Sequence, residues 1–95
     1  MAKRERAITR YKILTETGLL RLLVILYENG EMPLHKLVSY GIGVGAAYRG
    51  LKKGLSMGLV KFKECSITKN CIALTEKGVR VARLLSKAVS AIVED

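Results

Sequence analysis

Apolar side chains recur along this chain with two periods, and the places where the period changes mark its elements. From Gly18 to Glu28 they occupy nearly every face of a helix, and Asn29-Gly30 supplies a left-handed stop. Thr15 or Thr17 is the expected cap. A helix that is apolar all round must be buried on most sides. Pro33 then fits the first turn of a short second helix, with Leu34, Leu37 and Val38 on one stripe and Gly41 as its stop. A third helix is predicted from about Val44 to Met57. Its inner face carries Val44, Ala47, Tyr48, Leu51 and Leu55, and its outer face Arg49, Lys52, Lys53 and Ser56 with Gly45 and Ala46.

From Val60 the period becomes two, with Val60 and Phe62 inward and Lys61 and Lys63 outward. Ser66 to Asn70 form a turn, and Ile72 and Leu74 give the inward positions of a return strand. The result is a β-hairpin. Thr75 caps a long C-terminal helix in which Val81, Leu84, Leu85, Ala88, Val89, Ile92 and Val93 recur at steps of three and four. Such a helix at a chain end needs a surface to pack on, and a second copy of the chain is the expected one. Leu84, Leu85, Val89 and Ile92 are its predicted dimer contacts. Gly50 and Gly54 share one edge of the third helix, where each costs about 1 kcal/mol relative to Ala. Close packing against another helix accounts for them, and so would close approach of a DNA backbone.

Composition narrows the class. Ninety-five residues with 49% hydrophobic side chains suit one domain, too short for two separate cores. The formal net charge of +9 attracts polyanions, and its distribution is uneven. Residues 1–12 hold Lys3, Arg4, Arg6, Arg10 and Lys12 against Glu5, while residues 44–70 hold Arg49, Lys52, Lys53, Lys61, Lys63 and Lys69 against Glu64. The remaining segments are close to neutral. The longest apolar run, Leu22 to Tyr27, is far shorter than the roughly 20 residues a bilayer requires. Arg21, Glu16 and the lack of a small-residue cleavage site argue against a signal peptide. A cytoplasmic protein without membrane contact is expected.

Cys65 and Cys71 are too few for a secreted disulfide framework. They fall opposite each other if Phe62 pairs with Leu74, a spacing that a disulfide can bridge. An ordinary cytosol would keep both reduced. The absence of Gln and the excess of Lys, Arg and Glu instead suggest a heat-adapted source, where intracellular disulfides do occur. Two cysteines and the lone His35 do not make a usual zinc site. No phosphate loop, nucleophile elbow or acid pair is visible, so neither enzyme activity, cofactor nor metal is expected.

Several phrases match a known architecture. Tyr27-Glu28-Asn29-Gly30-Glu31-Met32-Pro33-Leu34 resembles the end of a first helix and the start of a helix-turn-helix. The stretch Val44-Gly45-Ala46-Ala47-Tyr48-Arg49-Gly50-Leu51-Lys52-Lys53-Gly54-Leu55 resembles a recognition helix, and Gly58-Leu59-Val60 the approach to a wing. Leu74-Thr75-Glu76-Lys77-Gly78 resembles the phrase that closes the wing in MarR-like and PadR-like regulators. Together they resemble a winged helix-turn-helix: α+β, mostly helical, with three helices, a two-stranded wing and a long C-terminal helix. The implied organisation is a basic arm at 1–12, a DNA-binding domain at 13–75 and a dimerisation helix at 76–95. Unlike the larger MarR-like proteins, the chain has one terminal helix, and Gly43-Val44-Gly45 stands where a Ser/Thr pair often begins the recognition helix.

The resemblance implies a homodimer binding double-stranded DNA, with the third helix in the major groove and the wing on backbone or minor groove. Arg49, Lys52, Lys53 and Ser56 then fall on the reading face, and Lys61, Lys63, Lys69 and Asn70 on the wing. Arg49 is the best candidate for reading a base, because its guanidinium can bond guanine O6 and N7 together. Tyr48 sends its hydroxyl to a phosphate or packs inside. Arg4, Arg6 and Arg10 follow the DNA or simply keep the chain soluble. Two other readings stay open: a chromatin-type protein coating DNA without sequence choice, and a winged helix serving protein contacts.

Overall fold

Leucine density decides which helix is central. In the computed structural model, which describes residues 10–66 and 69–94, helix α1 (Thr17–Asn29) places Leu19, Leu22, Leu23 and Leu26 in the core. It packs against α3 (Val44–Ser56), α4 (Glu76–Val93) and strand β2 (Lys69–Leu74). The short α2 (Leu34–Val38) adds Leu37, and Ile42, Leu59, Val60, Ile72 and Ala82 complete the core. No polar or charged side chain is buried among the described residues. Neither threonine caps α1: Glu16 holds the N-cap position without a side-chain bond, and Thr15 Oγ1 donates to the Lys12 carbonyl in a preceding 3-10 turn, Ile13–Thr15. Residues 10–12 are helical, so this end of the predicted arm is ordered structure. Gly30 ends α1 with φ 87°, as its sequence context predicts.

The orientation of α3 departs from the hydrophobic reading. Its buried positions are Ala47, Gly50, Leu51 and Gly54, whereas Val44, Tyr48 and Leu55, expected inside, are exposed. The glycines explain the rotation. A Cβ at Gly50 would lie 2.8 Å from the Gly18 carbonyl and the Leu19 nitrogen, and one at Gly54 would lie 2.9 Å from Val60 Cγ2. Small residues let α1 and α3 approach until backbone meets backbone, and this close face is the one buried. Gly50 therefore serves helix packing, and Gly54 makes room for the Val60 and Leu19 side chains. Gly50→Ala is expected to lower stability by about 1–2 kcal/mol in urea denaturation, overpacking outweighing the gain in helix propensity. Gly45→Ala, which meets only the tip of Arg49, should instead be neutral or stabilising by up to about 1 kcal/mol.

Strand β1 (Val60–Ser66) pairs antiparallel with β2, Val60 opposite Leu74 and Phe62 opposite Ile72. That register differs by two residues from the one inferred for the cysteines, and the turn is tighter than expected. A bulge between Glu64 and Ser66 displaces Cys65, which forms a disulfide with Cys71 across a Cα–Cα distance of 5.6 Å. Met32 joins the other edge of β2 through two backbone bonds with Ile72, so Cys71, Ile72 and Ala73 are all buried. Strand β1 has cover only under Val60, and Phe62 projects into solvent at 56% exposure instead of into the core.

A compact knot fixes the hairpin to α4. Thr75 Oγ1 accepts from the Gly78 amide at 3.0 Å, as the predicted cap should, and donates to the Gly58 carbonyl at 2.6 Å. Lys77 Nζ donates to the Met57 carbonyl at 3.0 Å, and the Thr75 amide to the Leu59 carbonyl at 3.0 Å. The Leu-Thr-Glu-Lys-Gly phrase thereby closes the turn that leaves α3.

Candidate nucleic-acid interface

A helix that buries its small residues presents its long ones. At roughly 100° per residue, the exposed arc of α3 carries Tyr48, Arg49, Lys52, Lys53, Leu55 and Ser56 together, with no acidic side chain. Arg49 folds back along the helix, its Nη1 lying 3.2 Å from where a Cβ on Gly45 would sit. The missing side chain at Gly45 makes room for the guanidinium near the start of α3. Ser56 Oγ donates to the Lys53 carbonyl at 2.8 Å, so its proton is engaged and its oxygen lone pairs remain for a donor.

Two cations that sequence separation hides join this surface. Arg10 and Lys12, with Ile13, Glu16, Lys53 and Met57, line a cleft beside the C-terminal half of α3. Nothing in local periodicity connects residue 10 with residue 53. The signal was only the clustered charge of the first dozen residues. Arg4 and Arg6 lie outside the described residues, as does the side chain of Lys69.

The cations of β1 do not share a face with those of α3. Val60 packs towards Gly54 of α3, and alternation puts Phe62 and Glu64 on that same face. Lys61 and Lys63 point to the other face, beside Tyr27 and Glu31 at the end of α1. Lys63 Nζ pairs with Glu31 Oε1 at 3.2 Å, both side chains well exposed. Asn70, near the hairpin tip, is exposed.

A second surface is apolar. Leu20, Val24, Ile25, Leu85, Val89 and Ile92 line a groove of about 550 Å³ between α1 and α4. Of the predicted dimer contacts, Leu84, Val89 and Ile92 face solvent, while Leu85 packs partly against the core of its own chain.

Helices α2 and α3 followed by a paired hairpin and a C-terminal helix recur in solved structures. The chain superposes on the transcriptional repressor BigR from Xylella fastidiosa with a TM-score of 0.71, at 23% identity over 99% of this chain and 96% of that one. The fold is a winged helix-turn-helix. SSV1 F-93 gives a TM-score of 0.68 at 22% identity, covering 79% of this chain and 88% of its own. NMB1585, a MarR family regulator from Neisseria meningitidis, gives 0.56 at 18% identity, covering 100% and 82%. No protein-family model matches the chain, and no curated protein matches it in sequence. In this winged helix α2 and α3 form the helix-turn-helix and β1–β2 the wing. Among the described residues no helix is long and apolar enough to cross a membrane.

Proposed function

We propose that this protein is a homodimeric transcription regulator that binds specific double-stranded DNA, with α3 in the major groove and the wing on the flanking backbone. The observation that carries the reading is the outer face of α3, where Arg49, Lys52 and Lys53 project together and Arg10 and Lys12 extend the charge. An exposed helix face with three cations and no carboxylate of its own suits a groove lined by phosphates. BigR and NMB1585, which share the fold, are regulators, which supports the same role here.

Roles follow from position. Arg49 reads a base, Lys52 and Lys53 meet phosphates, and Arg10, with Arg4 and Arg6 before it, follows the backbone beyond α3. The wing contributes Lys69 and Asn70 near its tip, while Lys61 and Lys63, on the face turned away from α3, would meet only backbone that passes the far side of the hairpin. Lys63 must leave Glu31 to reach a phosphate, but an exposed pair of this kind is worth only about 0–1 kcal/mol. The solvent-facing residues of α4 and the apolar groove join two copies, whose α3 helices would then meet half-sites about 34 Å apart.

An electrophoretic shift assay on duplexes selected from random DNA tests this. Defined DNA should outcompete random DNA. Arg49→Ala should remove about 1–3 kcal/mol of discrimination at one base pair, whereas Lys53→Ala should weaken every duplex alike and lower the salt slope by about one. The net charge of +9 favours one other reading, a coat on DNA without sequence choice. Steep salt dependence with equal affinity for all duplexes would establish that reading instead.

A further inference from the structure

Val44 is the first residue of α3, and 65% of its surface faces solvent. Tyr48, one turn later on the same flank, is 57% exposed. Their neighbours Gly43 and Gly45 carry no side chain, so the valine stands clear of its own helix. Neither residue supports the core, which α3 reaches through Ala47, Gly50, Leu51 and Gly54. Nor are they among the residues lining the apolar groove, which α1 and α4 form with Tyr40 and Gly41. This is an apolar strip on a helix whose remaining exposed side chains are mostly cationic.

Resting on the DNA-binding reading above, we propose that Val44 and Tyr48 read thymine through its methyl group, beside a guanine read by Arg49. The base-contacting part of a helix-turn-helix is the N-terminal portion of its second helix, which is where these side chains lie. In the major groove each base pair offers donors and acceptors, and thymine alone adds an apolar group, its C5 methyl. A valine or the ring of a tyrosine is complementary to that group and to no other on the groove floor. Charge complementarity selects the occupant: Arg49, Lys52 and Lys53 flank the strip on its exposed side and bring a polyanion, not an apolar protein face, against it. Val44 and Tyr48 are separated by about 6 Å along the helix, and stacked base pairs by about 3.4 Å. The methyl groups they touch therefore lie within about two steps of each other. Because the Arg49 guanidinium is drawn back towards Gly45, the guanine it reads adjoins them. The half-site is thus a short thymine-containing step next to a G·C pair.

Deoxyuridine removes the methyl and leaves pairing intact, so it isolates this contact. In a duplex selected by the protein, thymines are replaced one at a time by deoxyuridine and affinity is measured. One or two replacements in each half-site should weaken binding about fourfold, the burial of a single methyl group. Val44→Ala should lose a similar factor on the unmodified duplex and become indifferent to at least one of those replacements. Arg49→Ala should keep the deoxyuridine effect while losing its guanine preference. A selected duplex on which every replacement is neutral would overturn the proposal and leave specific DNA binding standing. So would an effect undiminished in both Val44→Ala and Tyr48→Ala. Failure to select any duplex would remove the DNA-binding reading and this one with it.

Discussion

Val89→Glu should yield a folded monomer that binds selected DNA at least 100-fold more weakly than the parent. Val89 lies on the outer side of α4 and lines the apolar groove with Leu20, Val24 and Ile25. Leu84 is 66% and Ile92 82% exposed on the same helix, in a chain whose small size favours recruiting a second copy to extend its core. A carboxylate placed there stays hydrated in the isolated protomer, so the fold should survive. Burying it against apolar side chains without a partner would cost several kcal/mol, enough to dissociate a moderate dimer. The DNA effect follows from valency: two linked reading helices gain about 10²–10⁴ over one through effective concentration. Sedimentation measures the mass and a shift assay the affinity. A Val89→Glu protein that remains dimeric would place the subunit contact elsewhere.

The largest stability loss at a single glycine is expected at Gly78. A Cβ there would collide with the Leu59 carbonyl oxygen and crowd Leu74 Cδ2 at 3.3 Å. The Leu59 carbonyl also accepts the Thr75 amide, and Thr75 in turn holds Gly58, so it cannot move aside without opening the knot. Gly78→Ala should therefore cost about 2–3 kcal/mol, near the upper end for overpacking, even after the gain in helix propensity. Its melting temperature should fall by about 8–20 °C for a domain of this size. Thr75→Ala, which removes one cap and one bond to Gly58, should cost about 1–2 kcal/mol. If thermal unfolding of Gly78→Ala matches the parent, this region is softer than its geometry implies.

Local rules carried a good part of the architecture. The leucines of α1 marked the central helix, although only Leu19, Leu22, Leu23 and Leu26 are buried and Leu20, Val24 and Ile25 line an open groove; Gly30 marked the helix end, Thr75 capped α4, and the alternating residues after Val60 gave a hairpin. Each rests on an interaction within a few residues, so spacing alone expresses it. The basic side chains of α3 were also found this way, because charge stays outside whatever the packing partner.

The rotation of α3 required knowing its partner. Hydrophobic periodicity assumes that the largest apolar residues mark the buried face, but Gly18 and Gly50 let the backbones of α1 and α3 touch while Gly54 admits Val60, and close approach buried the small residues instead. Val44 and Tyr48 were thereby turned outward. Phe62 faces solvent for a related reason: alternation gives two faces to a strand but does not say how far the core extends beneath them, and here it ends at Val60. The pairing of Lys63 with Glu31 and the approach of Arg10 to Lys53 join residues far apart in the chain. The amino-acid order established the elements and the store of positive charge. Which faces met, and therefore which side chains were left to face solvent, depended on contacts between elements that no local spacing encodes.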